Sequence, residues 1–554
     1  MVLAGPGLTR ASGAGLVSRQ RRWALPVAAL ICALALAAYL ADMIVHPQGN
    51  MLDWYDLNVY NHAGLIARTS PDRLYTWQLH PGIKFTYTPF AGVIFAAGSL
   101  LSWAVLKWLM TVASLAALAG TVWLTFGALG WRGRSRAAAA LGLAAAGLWT
   151  EPVVRGLHLG QVELLLMVLI VWDLSQPDRR WWKGAGIGVA AGIKLVPLIF
   201  IPYLVLAGRL RQAAVATAAF VSTVVIGFIF LPHASAKFWL TGYFVRPGNV
   251  GDVGSLLNQS LLGLVVRAAG SARAGTPVWL ALGAVIVVLG CTTAAVLHRS
   301  GRPVAGWLTC ALTGLLCSPI SWDHHWVWIV PTMALFTDAA LRARGAARWG
   351  YWALTAVIFA LFGAWPNHYT GPAAFVPQGL LGFFIGPHPE HEMYYLKGMQ
   401  VIGWNLFVLV GLVLLTVAVT AAARIWLAAP AAPGGRGRDI SGRLGRMPSL
   451  SGRLPYPGVP GTACRPPWAV FPVPGRQVGG QWMARKGCRW HRQNRTSLLR
   501  SGRSPLTASA AGGYSPAQPQ RSRSRSPRTW RTWRLIHSPS RWTGSTSTST
   551  TTPA

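Results

Sequence analysis

The chain has 554 residues, 53% of them hydrophobic and 12% charged, with a mean hydropathy of +0.39. That profile excludes a soluble globular domain and a disordered chain, and defines a polytopic membrane protein. The net charge of +36 is no nucleic-acid signature. Residues from 431 onward hold 21 Lys and Arg against one acid, Asp439, and so carry +20 of it, while basic loops in a membrane protein face an anionic cytoplasmic leaflet.

In chain order, residues 1–22 read as a cytoplasmic segment ending in Arg19, Arg21 and Arg22. The apolar stretch from Trp23 to Val45 is too long for a signal-peptide core and reads as a signal anchor. Further apolar windows fall at about 88–104, 106–130, 137–153, 160–175, 184–208, 213–231, 278–297, 304–319, 326–341, 351–365 and 400–426. They predict an all-α membrane domain over residues 23–430 with about 10–13 crossings. Cys32, Cys291, Cys310 and Cys317 lie in apolar windows as small hydrophobes, and no cysteine spacing reads as a zinc site or a disulfide framework.

Basic clusters set the orientation. With Arg132, Arg134 and Arg136, Arg179, Arg180 and Lys183, Arg209 and Arg211, Arg299 and Arg302, and Arg342, Arg344 and Arg348 all cytoplasmic, the outer segments are about 46–87, 151–159, 232–277, 320–325 and 366–399. Two windows break the parity. Either one of 88–104 and 106–130 is re-entrant or Arg132–Arg136 face outward, and 184–208 has basic residues at both flanks, as a hairpin broken around Lys194 and Pro197 would.

Thirteen acids occur before residue 431, and acids kept near membrane depth are functional candidates. Asp56, in Asp56-Leu-Asn-Val-Tyr60, stands just outside the first span, followed by Tyr75 and Lys84-Phe-Thr-Tyr87-Thr-Pro89. A half-desolvated carboxylate there suits a general base, against the plainer reading of a solvated acid in an aromatic belt; Asp53 competes for the role. His158-Leu-Gly-Gln161-Val-Glu163 carries polar residues into an apolar helix, where they serve a site or bond to neighbouring helices. In Gly184-Ala-Gly-Ile-Gly188 through Gly192-Ile-Lys194-Leu-Val-Pro197, small residues permit close packing. Lys194 then needs an anion such as a lipid phosphate, or else snorkels to the surface. Ser318-Pro-Ile-Ser321-Trp-Asp323-His324-His325-Trp326 forms an outer turn better suited to a sugar phosphate than to zinc, for want of further ligands at standard spacing. Asn258-Gln259-Ser260 opens an apolar stretch that could be a half-helix.

Taken in order, Asp-Leu-x-Val-Tyr, Tyr-Thr-Pro at 87–89, Leu-Gly-Gln at 159–161, Gly-x-x-x-Lys-x-x-Pro ending at 197, Asn-Gln-Ser at 258–260 and Ser-Pro-Ile-Ser-Trp-Asp-His-His at 318–325 resemble glycosyltransferase family 87. These are the actinobacterial polyprenol-phosphate-mannose-dependent mannosyltransferases of GT-C fold, and the likeness covers about residues 20–426. The resemblance implies a GT-C-type fold with an outer-face cavity at the plasma membrane, a polyprenyl-phosphate-mannose donor, a glycolipid acceptor such as a phosphatidylinositol mannoside, and inversion to an α-1,2 linkage. It implies that Asp56 is the base, that His324, His325 and Lys194 contact the donor phosphate, and that Tyr60, Tyr87, Gln161, Glu163, Asn258 and Asp323 line the substrate site. No cofactor follows, and a divalent metal is left open. The chain departs from the family at Thr88, where Pro is frequent, and at Glu163, where Asn is common, a change that bears on acceptor choice. The competing reading, a transporter or flippase for a lipid-linked sugar, would carry internal repeats and midplane charge pairs.

Residues 431–554 are rich in Arg, Ser, Pro, Gly and Thr and lack apolar periodicity, so they are expected to be disordered. Their Arg bias fits either a reading-frame artefact in a GC-rich gene or a polybasic arm on anionic lipid.

Overall fold

The computed structural model describes residues 11–45, 54–79, 84–246, 249, 251–365, 379–384 and 399–428, with only the helical backbone at 11–22, 43–45 and 382–384. Asp53, Glu390, Glu392 and the tail from 431 lie outside the described residues. The helices, in chain order, are α1 Ala11–Val45, α2 Tyr55–Thr69, α3 Pro89–Gly98, α4 Trp103–Ala128, α5 Gly133–Leu148, α6 Glu151–Leu159, α7 Glu163–Ser175, α8 Ala185–Ile193, α9 Phe200–Leu206 and α10 Leu210–Phe230. There follow α11 Pro232–Leu240, α12 Leu261–Ala269, α13 Ala272–Arg299, α14 Pro303–Cys317, α15 Ile329–Arg342, α16 Ala346–Phe362, α17 Gly379–Phe384, α18 Met399–Gly403 and α19 Leu406–Ala428. Among the described residues there is no strand, only isolated bridges Gln78–Lys84, Thr150–Gly363 and Asn258–Trp322.

The protein is all-α and polytopic. Five helices, within α1, α4, α10, α13 and α19, are long and apolar enough to cross a bilayer. The pair α6 and α7, bent by 116°, counts as a sixth if taken as one span. Shorter apolar helices at 89–98, 196–206, 303–317 and 346–362 account for most of the other predicted windows. The window 88–104 holds the ten residues of α3, which ends at Gly98 before Ser102 caps α4. The window 184–208 is broken: Lys194 leaves α8 in extended geometry, and a 3₁₀ turn, Val196–Ile199, with Pro197 near its start, leads into α9. Side chains such as Trp108, Val112, Ile229, Phe230, Val285 and Val288 are exposed on helices that are apolar all round, as lipid contact demands.

Two devices position the functional loops. Asp173 on α7, with no exposed surface, accepts from Gly184 N–H (2.8 and 3.0 Å) and Ile187 N–H (3.1 Å), and so caps α8 from a neighbouring helix. The α8 backbone then lies against α10; a Cβ at Gly188 would meet the Ala216 carbonyl oxygen at 2.3 Å. This contact fixes where Lys194 emerges.

The second device is a buried polar knot around Asn258-Gln259-Ser260. Asn258 Nδ2 donates to Val253 O and Pro319 O, and its Oδ1 accepts from Ser321 N–H. Gln259 joins Leu256 O, Trp404 O and Phe407 N–H, while Ser260 caps α12, the half-helix expected there. Arg267, 2% exposed, donates to Ser255 O (2.6 Å), Asn258 O (3.2 Å) and Asn405 Oδ1 (2.6 Å). Every bond of the knot replaces water in a low-dielectric interior. Replacing Arg267 by Met should cost about 2–4 kcal/mol, since each buried acceptor left unpaired costs roughly 1–3 kcal/mol; the thermal midpoint in detergent should fall accordingly, and an unchanged midpoint would deny the knot its role.

Candidate active site

The site forms where α2, the α6–α7 bend, the break after α8 and the 3₁₀ segment Asp323–Trp328 meet. Trp54, which precedes α2, is the one non-glycine with positive φ (48°) among the described residues. That backbone costs a bulky residue about 1–2 kcal/mol. It is held by Trp54 N–H donating to His158 O (2.9 Å), by the indole N–H near Thr111 Oγ1 (3.4 Å), and by the Lys107 ammonium 4.6 Å from the ring centre. Such strain collects where a site needs a fixed geometry; here it sets the first turn of α2 and with it Asp56.

Gly160 closes α6 with φ +68°, and a Cβ there would meet Leu57 Cβ at 2.6 Å and Trp54 Cδ1 at 3.0 Å. The reversal delivers the next residue, Gln161, to Asp56. Gln161 Nε2 donates to Asp56 Oδ2 (2.6 Å), and Gln161 Oε1 accepts from Tyr60 OH (2.6 Å) and Tyr87 OH (3.1 Å). The two phenols lie 2.7 Å apart. Asp56 Oδ1 makes no hydrogen bond among the described residues. Burial lifts the Asp56 carboxyl above the usual carboxylate range, with Glu163 adding to the rise and His324, Gln161 and Lys194 opposing it. A carboxylate so raised is a better base near neutral pH.

The second half of the site is cationic. The Lys194 ammonium contacts Glu163 Oε1, lies 2.9 Å from His325 Nε2 and 3.5 Å from Tyr87 OH. Its side chain is 20% exposed, against 8% for Glu163. Burial, then Lys194 and His324, hold His325 well below the ordinary imidazole range, so the ring is neutral and accepts from Lys194. His324 turns Nδ1 to Asp323 Oδ1 (3.2 Å), and Nε2 has no partner among the described residues. Burial alone would raise Asp323, but the Arg155 guanidinium beside it and His324 outweigh burial and keep its carboxyl below the usual range. Asp323 therefore orients His324, as a carboxylate orients a catalytic imidazole.

Asp56, Tyr60, Tyr87, Gln161, Glu163, Lys194, His324, His325 and Asp323 thus come together from sequence positions up to 269 residues apart. Asn258 does not join them through its side chain, which is engaged with the backbone of the loops that carry Asp323; it positions the turn. His158 is buried and stacked on Tyr39 (centroids 5.9 Å apart), contributing its backbone carbonyl to Trp54. Sequence reasoning missed Arg155. Its signal was a lone arginine in a segment that the other basic clusters put outside.

Glu163, His324 and His325 could each offer one atom to a metal, all within 4.8 Å of one another. The Lys194 ammonium already lies against two of the three, so the chain supplies its own cation there and the donor set does not fit a metal while Lys194 stays.

A carboxylate raised by burial thus faces a Lys–His cluster across one amide, at the broken helices of an all-α membrane protein. A model of glycosyltransferase family 87 matches residues 85–319. The chain is 34% identical over 339 residues to the polyprenol-phosphate-mannose-dependent alpha-(1-2)-phosphatidylinositol pentamannoside mannosyltransferase of Mycobacterium tuberculosis (strain CDC 1551 / Oshkosh), spanning 60% of this chain and 77% of that protein. It is 32% identical over 339 residues to the enzyme of the same description from Mycolicibacterium smegmatis, spanning 59% and 80%. It is 27% identical over 322 residues to the polyprenol-phosphate-mannose-dependent alpha-(1-2)-phosphatidylinositol mannoside mannosyltransferase of Mycobacterium tuberculosis (strain ATCC 25618 / H37Rv), spanning 56% and 73%. No solved structure matches. The chain belongs to glycosyltransferase family 87, which sets the transporter reading aside.

Substitution of Gly160 by Ala adds a Cβ where Leu57 and Trp54 already stand and forces an L-residue to positive φ. It should displace Asp56 and lower turnover by about 10²-fold, the cost of a roughly 1 Å misplacement. Turnover within twofold of wild type would show that the reversal does not set the base.

Proposed function

We propose that the protein transfers mannose from a polyprenyl-phosphate-mannose to a hydroxyl of a glycolipid acceptor such as a phosphatidylinositol mannoside, with inversion and formation of an α-1,2 linkage. The donor and acceptor classes rest on what the relatives' descriptions name. The chemistry rests on one observation, the Gln161-bridged array that joins Asp56 to the Lys194–His325 cluster.

In this reading Asp56 accepts the proton of the acceptor hydroxyl through Oδ1, while Gln161 holds Oδ2. The hydroxyl oxygen bonds to the anomeric carbon on the face opposite the phosphate. The bond from that carbon to the phosphate oxygen breaks, and its electron pair leaves on the polyprenyl phosphate. Lys194, His325 and the Nε2 of His324 meet the growing negative charge, where fixed donors in a dry site are worth far more than in water. Tyr60, Tyr87 and Gln161 surround the reacting atoms, and Asp323, itself held by Arg155, orients His324. The base lies on the outer side in the orientation set by the basic clusters, so the site faces the extracytoplasmic side of the plasma membrane. Residues 23–430 make up the catalytic membrane domain, flanked by the cytoplasmic segment 1–22 and the tail 431–554.

Asp56→Asn retains size and the hydrogen bond to Gln161 but cannot take a proton. Mannosyl transfer to a phosphatidylinositol mannoside should fall by about 10²–10⁴-fold with donor affinity retained, the usual contribution of a general base. Near wild-type turnover in this variant, with loss in Asp53→Asn, would assign the base to the other acid.

A further inference from the structure

Resting on the reading that Lys194 meets the donor phosphate, we infer that Glu163 is an internal competitor for that lysine, which the phosphate displaces on binding and which ejects the lipid phosphate after transfer. The observation is the Lys194–Glu163 ion pair itself. The ammonium's three polar neighbours are Glu163 Oε1, His325 Nε2 and Tyr87 OH. Of these only Glu163 is a carboxylate. His325 is neutral and Tyr87, its phenol pushed well above the ordinary value by burial, stays protonated. An anion that approaches Lys194 therefore meets one fixed negative charge at the point of contact. Glu163 is 8% exposed, and its Oε2 is buried without a partner among the described residues. Its carboxylate thus has little solvation to return to and gains most by keeping the lysine.

The charge change of the reaction gives this competition a direction. A polyprenyl phosphodiester donor carries one negative charge, whereas the phosphomonoester that remains after transfer carries about −1.5 to −2 at pH 7. A site that relied on Lys194 and two histidines alone would hold its product more tightly than its donor and stall. A carboxylate in contact with the same lysine repels the more highly charged species more strongly. Glu163 therefore weakens the product more than the donor, and its re-pairing with Lys194 accompanies release. The residue lies at the N-terminus of α7, straight after the Gly160–Gln161 reversal, so the same bend that positions the base positions the competitor.

The test uses farnesyl phosphate as the product phosphomonoester, with the full-length protein in detergent. Binding is read as the thermal-midpoint rise it causes and as its inhibition constant in the transfer assay. In Glu163→Gln and in Glu163→Asn, farnesyl phosphate should bind about tenfold more tightly than to wild type. Product release should become the slow step in both variants, so that a pre-steady-state burst appears that wild type does not show. Lys194→Met should weaken farnesyl phosphate and donor alike, and should cancel the tightening when combined with Glu163→Gln. If both Glu163 variants bind farnesyl phosphate no more tightly than wild type while Lys194→Met weakens it, the competitor role is wrong and the donor-phosphate role of Lys194 stands. If Lys194→Met leaves both donor and farnesyl phosphate binding unchanged, the reading on which the inference rests fails as well.

Discussion

The site depends on the bonds made by one side chain, the Gln161 amide. It faces Asp56 with its N–H and two tyrosine hydroxyls with its carbonyl. An amide has a fixed donor end and a fixed acceptor end: the bend between α6 and α7 supplies it, its donor end bonds Asp56 of α2, and its acceptor end bonds Tyr60 of the same helix and Tyr87 of the segment before α3. The bend exists because Gly160 can turn with positive φ against Leu57. Broken helices are tolerated at membrane depth where they line a polar cavity, and here two breaks, after α6 and after α8, lie at the same place. The first delivers Gln161 and Glu163, the second Lys194.

Charge is concentrated around that amide to a degree that only mutual pairing makes stable. Arg155 neutralises Asp323, Lys194 neutralises Glu163, and both pairs are removed from water on at least one side. Leaving either partner alone would cost several kcal/mol. Asp56 has no cation in contact. Burial raises its carboxyl, while Arg155 and His324 hold that of Asp323 below the usual range, a difference in environment that suits a base at the one and an orienting carboxylate at the other. The knot of Asn258, Gln259 and Arg267 stabilises the loop backbone behind Asp323 in the same way, with neutral acceptors in place of charges.

Much of this was legible in the sequence. The polar residues that interrupt apolar windows were few, and nearly all of those singled out converge: Asp56, Gln161, Glu163, Lys194 and Asp323–His325 each carried the signal of a polar group where hydrophobic sequence surrounds it. Ordered motifs resembling one family pointed to the same residues. What the sequence concealed follows from length and from pairing. Apolar windows blur element boundaries, because a run such as 88–104 contains a ten-residue helix, a capping serine and the start of the next helix. A buried amide and a substrate-binding amide have the same composition, so the backbone partners of Asn258 could not be read from the sequence. Arg155 was hidden because a single arginine in an outer segment carries no pattern, and its role appears only once folding sets it beside Asp323.

The most direct measurement is the pH dependence of kcat/KM for mannosyl transfer in wild type and in Gln161→Leu. Asp56 must be ionised to accept a proton, so activity is lost as pH falls through its pKa. Burial puts that acid limb above the value of about 4 for an ordinary carboxylate. The Gln161 hydrogen bond lowers the pKa, so removing it should move the limb to still higher pH, whatever else it does to the rate. An acid limb at the ordinary carboxylate position, or one that stays in place when Gln161 is replaced, would contradict the assignment of Asp56, held by Gln161, as the base.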